Sequence, residues 1–204
     1  LRTGEWLILG RTNYITNKIA NKLKESGYLF WKEGSGWSIS PNVLNGIEVW
    51  NKICKNQKLS LSEWKNFSKI TQPHVFTKHG KKVLNSLDPE KLFSIDHMVD
   101  CLTVSVETHW NQVIKVSDKE LTYINSVRKS GEKIWSGSPR IKISTIHKAK
   151  GGEADNVLLM LESSKACTES PDQDSEIRTF YVGATRAKEQ LHIVDSNKDN
   201  GFRI

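Results

Sequence analysis

The feature that most constrains this chain is a short apolar run near its start, Trp6-Leu7-Ile8-Leu9, closed by Gly10. Such a run, stopped by glycine, reads as a short buried strand. Arg11 follows it immediately. Thr12 or Asn13 can then cap a helix that carries Ile15, Ile19, Ala20 and Leu23 near 3.6-residue spacing. Gly27 stands where a helix ends, and Tyr28 to Trp31 reads as a second short strand before the turn Gly34-Ser35-Gly36. Strand, helix and strand in so short a stretch read as a βαβ unit, which favours a parallel sheet.

From about Pro41 to Pro139 the pattern is helical. Val43, Leu44, Ile47 and Trp50 lie on one face, and Ser60-Leu61-Ser62-Glu63 is a capping box. Asp88-Pro89-Glu90 reads as an N-cap with proline at the first helical position. Ser117-Asp118-Lys119-Glu120 opens a further helix with Leu121, Ile124 and Val127 on its apolar side. Cys101 to Val106 is β-prone between helical signals and receives no assignment. After Pro139 the α/β rhythm returns. Strands are expected over Ile141–Ile146, Asn156–Leu161 and Gln190–Val194. A polar loop spans Ser163–Ser175, and Asp174 or Ser175 caps a helix through Tyr181. The expected architecture is α/β, a parallel sheet with flanking helices built from residues 1–40 and 139–204. A mostly helical subdomain, residues 41–138, interrupts it.

Composition narrows the function classes. The 204 residues are 37% hydrophobic and 26% charged, too apolar for a disordered chain and ordinary for a globular one. No run approaches the roughly 18 apolar residues of a membrane span, and no signal peptide is visible. The opening on Leu1, with a strand so soon after, is expected of a piece cut from a longer polypeptide. Cys54, Cys101 and Cys167 are odd in number and far apart, which favours reduced thiols in a cytosolic protein. The six histidines form no metal-ligand pattern, so a protein-held catalytic metal is not expected. The net charge of +7 is compatible with a polyanionic partner and equally with solvated helix faces.

Two segments carry chemistry. In Ile143-Ser144-Thr145-Ile146-His147-Lys148-Ala149-Lys150-Gly151-Gly152-Glu153 a strand ends in a hydroxyl and an imidazole, then runs through a glycine pair to a carboxylate. Open parallel sheets bind ligands beyond their strands' carboxyl ends, and glycines let backbone approach phosphates. In Glu176-Ile177-Arg178-Thr179-Phe180-Tyr181-Val182-Gly183-Ala184-Thr185-Arg186-Ala187-Lys188 a short helix delivers Thr185 and Arg186 just before a final strand. An arginine there is a permanent, forked donor of the kind phosphate recognition uses.

Thr145-x-His147-x-x-Lys150-Gly151-x-Glu153 resembles motif V of the UvrD/Rep/PcrA-type superfamily 1 helicases. Tyr181-Val182-x-x-Thr185-Arg186-Ala187 resembles their motif VI, and Leu7-Ile8-Leu9-Gly10-Arg11-Thr12-Asn13 is similar to motif IV. The likeness covers roughly residues 1–50 and 139–198; the middle matches only in location and helical character. It implies a RecA-like, P-loop NTPase-type motor domain 2A (1–40 and 139–204) with a 2B-like insertion (41–138). The whole would be an ATP-dependent DNA helicase of 3′-to-5′ direction, suggested by the Ala149-Lys150-Gly151 core. Carried over by position, Arg11 and Arg186 would reach the ATP γ-phosphate, Glu153 would contact the nucleotide, and Thr145 and His147 would touch single-stranded DNA. ATP with Mg2+ would be held mainly by an amino-terminal RecA-like domain 1A, the principal partner. The resemblance also implies repair or recombination proteins as further partners, and the place of action would be the cytoplasm (nucleoid-associated, or a host cytoplasm for a viral protein), with no membrane role. Gly-x-x-x-x-Gly-Lys-Ser/Thr does not occur, so the chain alone is expected to be inactive on ATP.

Each residue also has a plainer reading. Arg11 could pair with a carboxylate, His147 could be a satisfied core histidine, Glu153 could cap or pair locally, and Lys148 and Lys188 read as solvated. Most of the seven tryptophans read as core, with Trp37 and Trp64 the two that could face DNA. The alternative function is a non-catalytic nucleic-acid-binding or protein-interaction module that keeps the helicase fold.

Overall fold

The computed structural model describes residues 1, 3–132, 139–149, 151–169, 171–196 and 201–202; Trp135 and Lys150 lie outside the described residues. Two compact units result, Leu1–Ser38 with Tyr123–Ile204, and Ile39–Thr122. The first opens with strand β1 (Trp6–Gly10) and helix α1 (Asn13–Glu25), capped by the Thr12 side chain, which accepts from Ile15 N. Gly27, at φ +71°, reverses the chain after α1, as a glycine at a helix end can. The strand expected over Tyr28–Trp31 forms only from its last residue, as β2 (Trp31–Lys32), which turns through Gly34 into β3 (Gly36–Trp37). Upstream, the backbone is engaged elsewhere. Phe30 N donates to Ser38 Oγ at 3.1 Å, and Tyr28 O accepts from Tyr123 Oη at 2.6 Å.

The second unit is mostly helical. It contains α2 (Pro41–Cys54), β4 (Leu59–Ser60), α3 (Leu61–Ile70), α4 (Lys78–Ser86), β5 (Leu92–Phe93), α5 (Ile95–Met98), a 3₁₀ turn (Val99–Cys101) and α6 (Trp110–Val113). The capping box forms as expected, with Ser60 and Glu63 satisfying each other's backbone N–H groups. Asp88-Pro89-Glu90 does not start a helix: Asp88 Oδ1 accepts from Glu90 N, and the chain turns at once into β5, which pairs with β4. The β-prone stretch after Cys101 contributes one bridge, Leu102 to Phe76. Trp64 is completely buried and donates to Phe93 O at 3.0 Å, while Trp50 stacks on Phe67 at 6.1 Å. Both are core residues, and Trp64 is thereby removed from any DNA-facing role.

Helix α7 (Asp118–Lys129) carries the chain back to the first unit. There follow β6 (Ile141–Thr145), β7 (Ala154–Met160), α8 (Lys165–Thr168), α9 (Gln173–Ala184) and β8 (Ala187–Val194). The sheet order is β3-β2-β6-β1-β7-β8, parallel throughout except for β3 at one edge. Alternation along β1 divides the core. Leu7 and Leu9 pack with Val157, Leu159 and Phe180 of α9, and Ile8 packs with Ala20, Leu23 and Phe30 on the opposite face. The cap of α9 is Asp172, earlier than expected, because its carboxylate accepts from Ser175 N at 3.0 Å. That extra turn sets Glu176 inside the helix, facing β1.

Gly183 lets α9 lie close to the sheet, since a Cβ there would stand 3.0 Å from Leu159 Cδ1. Leu9 is fully buried at the end of β1 beneath this helix. Leu9→Ala should therefore lower unfolding stability by about 2–5 kcal/mol in urea titrations, without loss of the folded far-UV spectrum.

Candidate functional site: two edges of one sheet

In a parallel sheet, a residue just after a strand lies at the carboxyl edge and one just before a strand lies at the amino edge. Arg11, Thr145 and His147 belong to the carboxyl edge. Gly10 and Thr145, the last residues of β1 and β6, are register partners. Ile146 N donates to Gly10 O at 3.1 Å, and Thr145 O accepts from both Lys148 N and Ala149 N. These bonds fix a tight turn in which Thr145 is buried and His147 and Lys148 are exposed. His147 is thus a surface imidazole, not a core histidine.

Arg11 makes a two-pronged ion pair with Glu176. Nε donates to Oε2 at 2.8 Å and Nη2 to Oε1 at 2.6 Å, with side-chain exposures of 17% and 9%. The pair ties the end of β1 to the first turn of α9. The guanidinium holds the Glu176 carboxyl below its usual range, helped by nearby His147, and the same hydrogen bonds raise Arg11. The carboxylate reading of Arg11 is the one the structure realises. Its partner is 165 residues away in sequence and was not anticipated.

Beside this pair lies a cleft of about 230 Å³ lined by Ile146, His147, Ser175, Arg178, Thr179 and Val182. The four α9 residues are spaced i, i+3, i+4 and i+7, a single helical stripe. Arg178 is exposed. Sequence reasoning quoted it but gave it no task; its three-residue spacing from Ser175 and Val182's four from Arg178 were the available signal.

Glu153 and Arg186 belong to the amino edge. Glu153 directly precedes β7 and Arg186 directly precedes β8, and Ala154 N donates to Arg186 O at 3.2 Å. Glu153 is exposed, without a side-chain partner among the described residues. The half-buried Arg186 donates from Nε to Val182 O at 3.0 Å, and Nη2 reaches Thr185 Oγ1 at 3.4 Å. Its Nη1 has no partner among the described residues.

The two edges are well separated. Trp6 pairs with Asn156, and Ala154 with Ala187, so the levels of Ala154 and Gly10 differ by about six residues, or about 20 Å. The twelve residues of α9 span a similar length, about 18 Å, with Glu176 and Arg178 toward one edge and Arg186 at the other. The structure therefore brings Glu153 to Arg186, and Arg11 to Thr145 and His147, but it does not bring Arg11 to Arg186. β1 delivers Arg11 to the edge opposite Arg186, and Glu176 occupies its fork. Among the described residues no cluster of histidine, cysteine and carboxylate groups could hold a metal ion, and no helix is long and apolar enough to cross a membrane.

Residues 36–198 match the UvrD-like helicase C-terminal domain. The chain is also similar to the ATP-dependent DNA helicase srs2 of Schizosaccharomyces pombe (strain 972), at 38% identity over 76 residues. That match covers 36% of this chain and 8% of the yeast protein, so the chain spans a small part of the relative's length.

The ion pair gives stability a pH dependence of definite sign. Because the folded-state pKa of Glu176 lies below the usual 4.5, its stabilisation is present above that value and is lost as pH falls through and below it. Glu176→Gln should cost about 1.5–3 kcal/mol at pH 7, and urea titrations should show that difference shrinking toward pH 3.

Proposed function

Because this chain belongs to the UvrD-like helicase C-terminal domain family, we propose that it is the carboxyl-terminal motor part of an ATP-dependent DNA helicase or translocase. Residues 1–40 and 139–204 would be the RecA-like domain 2A and residues 41–138 a 2B-like insertion. The observation that supports this most is the sorting of the motif residues onto two edges of one sheet, joined by a single helix. Glu153 and Arg186 are backbone neighbours at the amino edge, where a nucleotide would meet them. Thr145 and His147 stand at the carboxyl edge, His147 exposed there and Thr145 buried beneath the turn.

In this reading Arg186 contacts the γ-phosphate of ATP and Glu153 its sugar or phosphate end. The unpartnered Nη1 of Arg186 and the exposed carboxylate of Glu153 suit those tasks. ATP with Mg2+ supplies a phosphoryl group whose transfer spreads negative charge over its oxygens, and a fixed guanidinium stabilises that charge. The remaining contacts to ATP and Mg2+ come from a domain 1A carrying the phosphate loop, a feature this sequence lacks. Arg186 meets its phosphate only when the two domains close, which makes hydrolysis dependent on domain movement. Movement while the carboxyl edge holds the strand produces stepping. The Ala149-Lys150-Gly151 core supports a 3′-to-5′ direction, and work at the nucleoid with repair or recombination partners accords with the same reading. Arg11, whose fork is taken by Glu176, is assigned to the carboxyl edge instead of the γ-phosphate.

In the complete polypeptide, Arg186→Ala should reduce DNA-stimulated ATP hydrolysis by about 10³-fold or more with nucleotide binding retained. Robust turnover by that variant would contradict the assignment. Failure of the wild type to hydrolyse ATP would turn the reading toward a nucleic-acid-binding module. Thr145→Ala combined with His147→Ala should weaken strand binding, or abolish its stimulation of ATP hydrolysis, while basal hydrolysis persists.

A further inference from the structure

The cleft between the turn after β6 and the outer stripe of α9 has no part in the nucleotide site. It is concave, holds about 230 Å³, and mixes an apolar floor of Ile146 and Val182 with polar groups from His147, Ser175, Arg178 and Thr179. Thr179 Oγ1 donates back to Ser175 O at 2.9 Å, so it offers a ligand mainly lone pairs. The charge on this wall is Arg178, which is exposed and has no hydrogen-bond or ion-pair partner among the described residues.

No carboxylate forms an ion pair with Arg178 among the described residues. Glu176 has both oxygens on Arg11, at 2.8 and 2.6 Å. Glu162, just beyond the end of β7, is paired with Lys18 at 2.9 Å. Asp172 places an oxygen on Ser175 N as the cap of α9. Asp174 stands four residues before Arg178, about 40° around the helix, and makes no ion pair with it among the described residues. Glu176 lies two residues, about 200° around the helix, from Arg178 and faces the sheet, so it is not a partner for Arg178.

We propose that Arg178 binds a backbone phosphate of the single strand in this cleft, with His147 and Ser175 as neighbouring polar contacts. The inference rests on the reading of the carboxyl edge as the strand's track, and it names the charged contact of that track. A phosphodiester fits the chemistry: one permanent cation with a forked donor set, an imidazole, a hydroxyl, and an apolar floor able to meet sugar carbons. Arg11, neutralised by Glu176, contributes much less.

The test is binding of a fluorescein-labelled oligothymidylate to the complete polypeptide, followed by anisotropy over a series of salt concentrations. Arg178→Ala should weaken binding by about 10-fold and reduce the magnitude of the log–log salt slope by about 0.7, the amount for one phosphate contact on a single strand. Arg178→Lys should keep the slope and lose part of the affinity, since a lysine supplies charge without the fork. The exposure of Arg178 makes both variants foldable, and an unchanged thermal midpoint verifies this. If Thr145→Ala with His147→Ala weakens binding while Arg178→Ala changes neither affinity nor slope, the role of Arg178 is overturned and the track stands. If none of these substitutions affects binding, or the wild type does not bind, the track reading falls and the proposal with it.

Discussion

Parallel pairing of β2, β6, β1, β7 and β8 is the constraint on which the rest of this protein depends. Every strand in that set enters at one edge and leaves at the other, so a residue's place is decided by whether it follows or precedes a strand. Arg11 follows β1, and Thr145 and His147 end or follow β6. Glu153 precedes β7 and Arg186 precedes β8. A segment of eight residues, Ile146 to Glu153, carries the chain from one edge back to the other, which is why a single sequence motif contributes to both. Burial of Ile8 on one face and of Leu7 and Leu9 on the other holds this register, because a one-residue slip of β1 would exchange the two faces.

Helix α9 is the second element of the design. It runs between the edges, with Glu176 on its buried side tied to Arg11 and Arg186 beyond its far end. Pairing two groups that are mostly buried is not a large net source of stability, since desolvation opposes the Coulomb gain. Its value lies in geometry. The side-on fork fixes the start of α9 against the end of β1, and the close approach at Gly183 fixes the other end against β7. A helix so held can transmit a displacement from one edge to the other as a rigid body, which is what coupling a strand site to a nucleotide site requires.

Much of the fold was legible in local chemistry. The apolar run ending at Gly10, the cap expected at Thr12 or Asn13 and formed by Thr12, the box at Ser60 and Glu63, and the strand expected over Ile141 to Ile146, which ends one residue sooner at Thr145, all report nearest neighbours. Asp88-Pro89-Glu90 misled because a proline after an aspartate suits a turn as well as a helix start, and only the pairing of β5 with β4 decides between them. The α9 cap was placed too late because Asp172, Asp174 and Ser175 are all competent caps. The candidate site was legible as a set of residues but not as a geometry. That Arg11 and Arg186 lie at opposite edges follows from strand direction, and that Glu176 holds Arg11 follows from a contact across 165 residues. The first is implicit in which residue follows a strand and which precedes one; the second is not encoded in spacing along the chain.

The central claim, that the strand occupies the carboxyl edge and the nucleotide the amino edge, can be tested most directly by site-specific cross-linking in the complete polypeptide. A photoreactive phenylalanine analogue would replace Lys148 in one variant and Lys188 in another, both exposed and at opposite edges of the sheet. The account predicts that bound oligothymidylate cross-links from position 148 and not from position 188. Equal cross-linking from both, or cross-linking from position 188 alone, would contradict it.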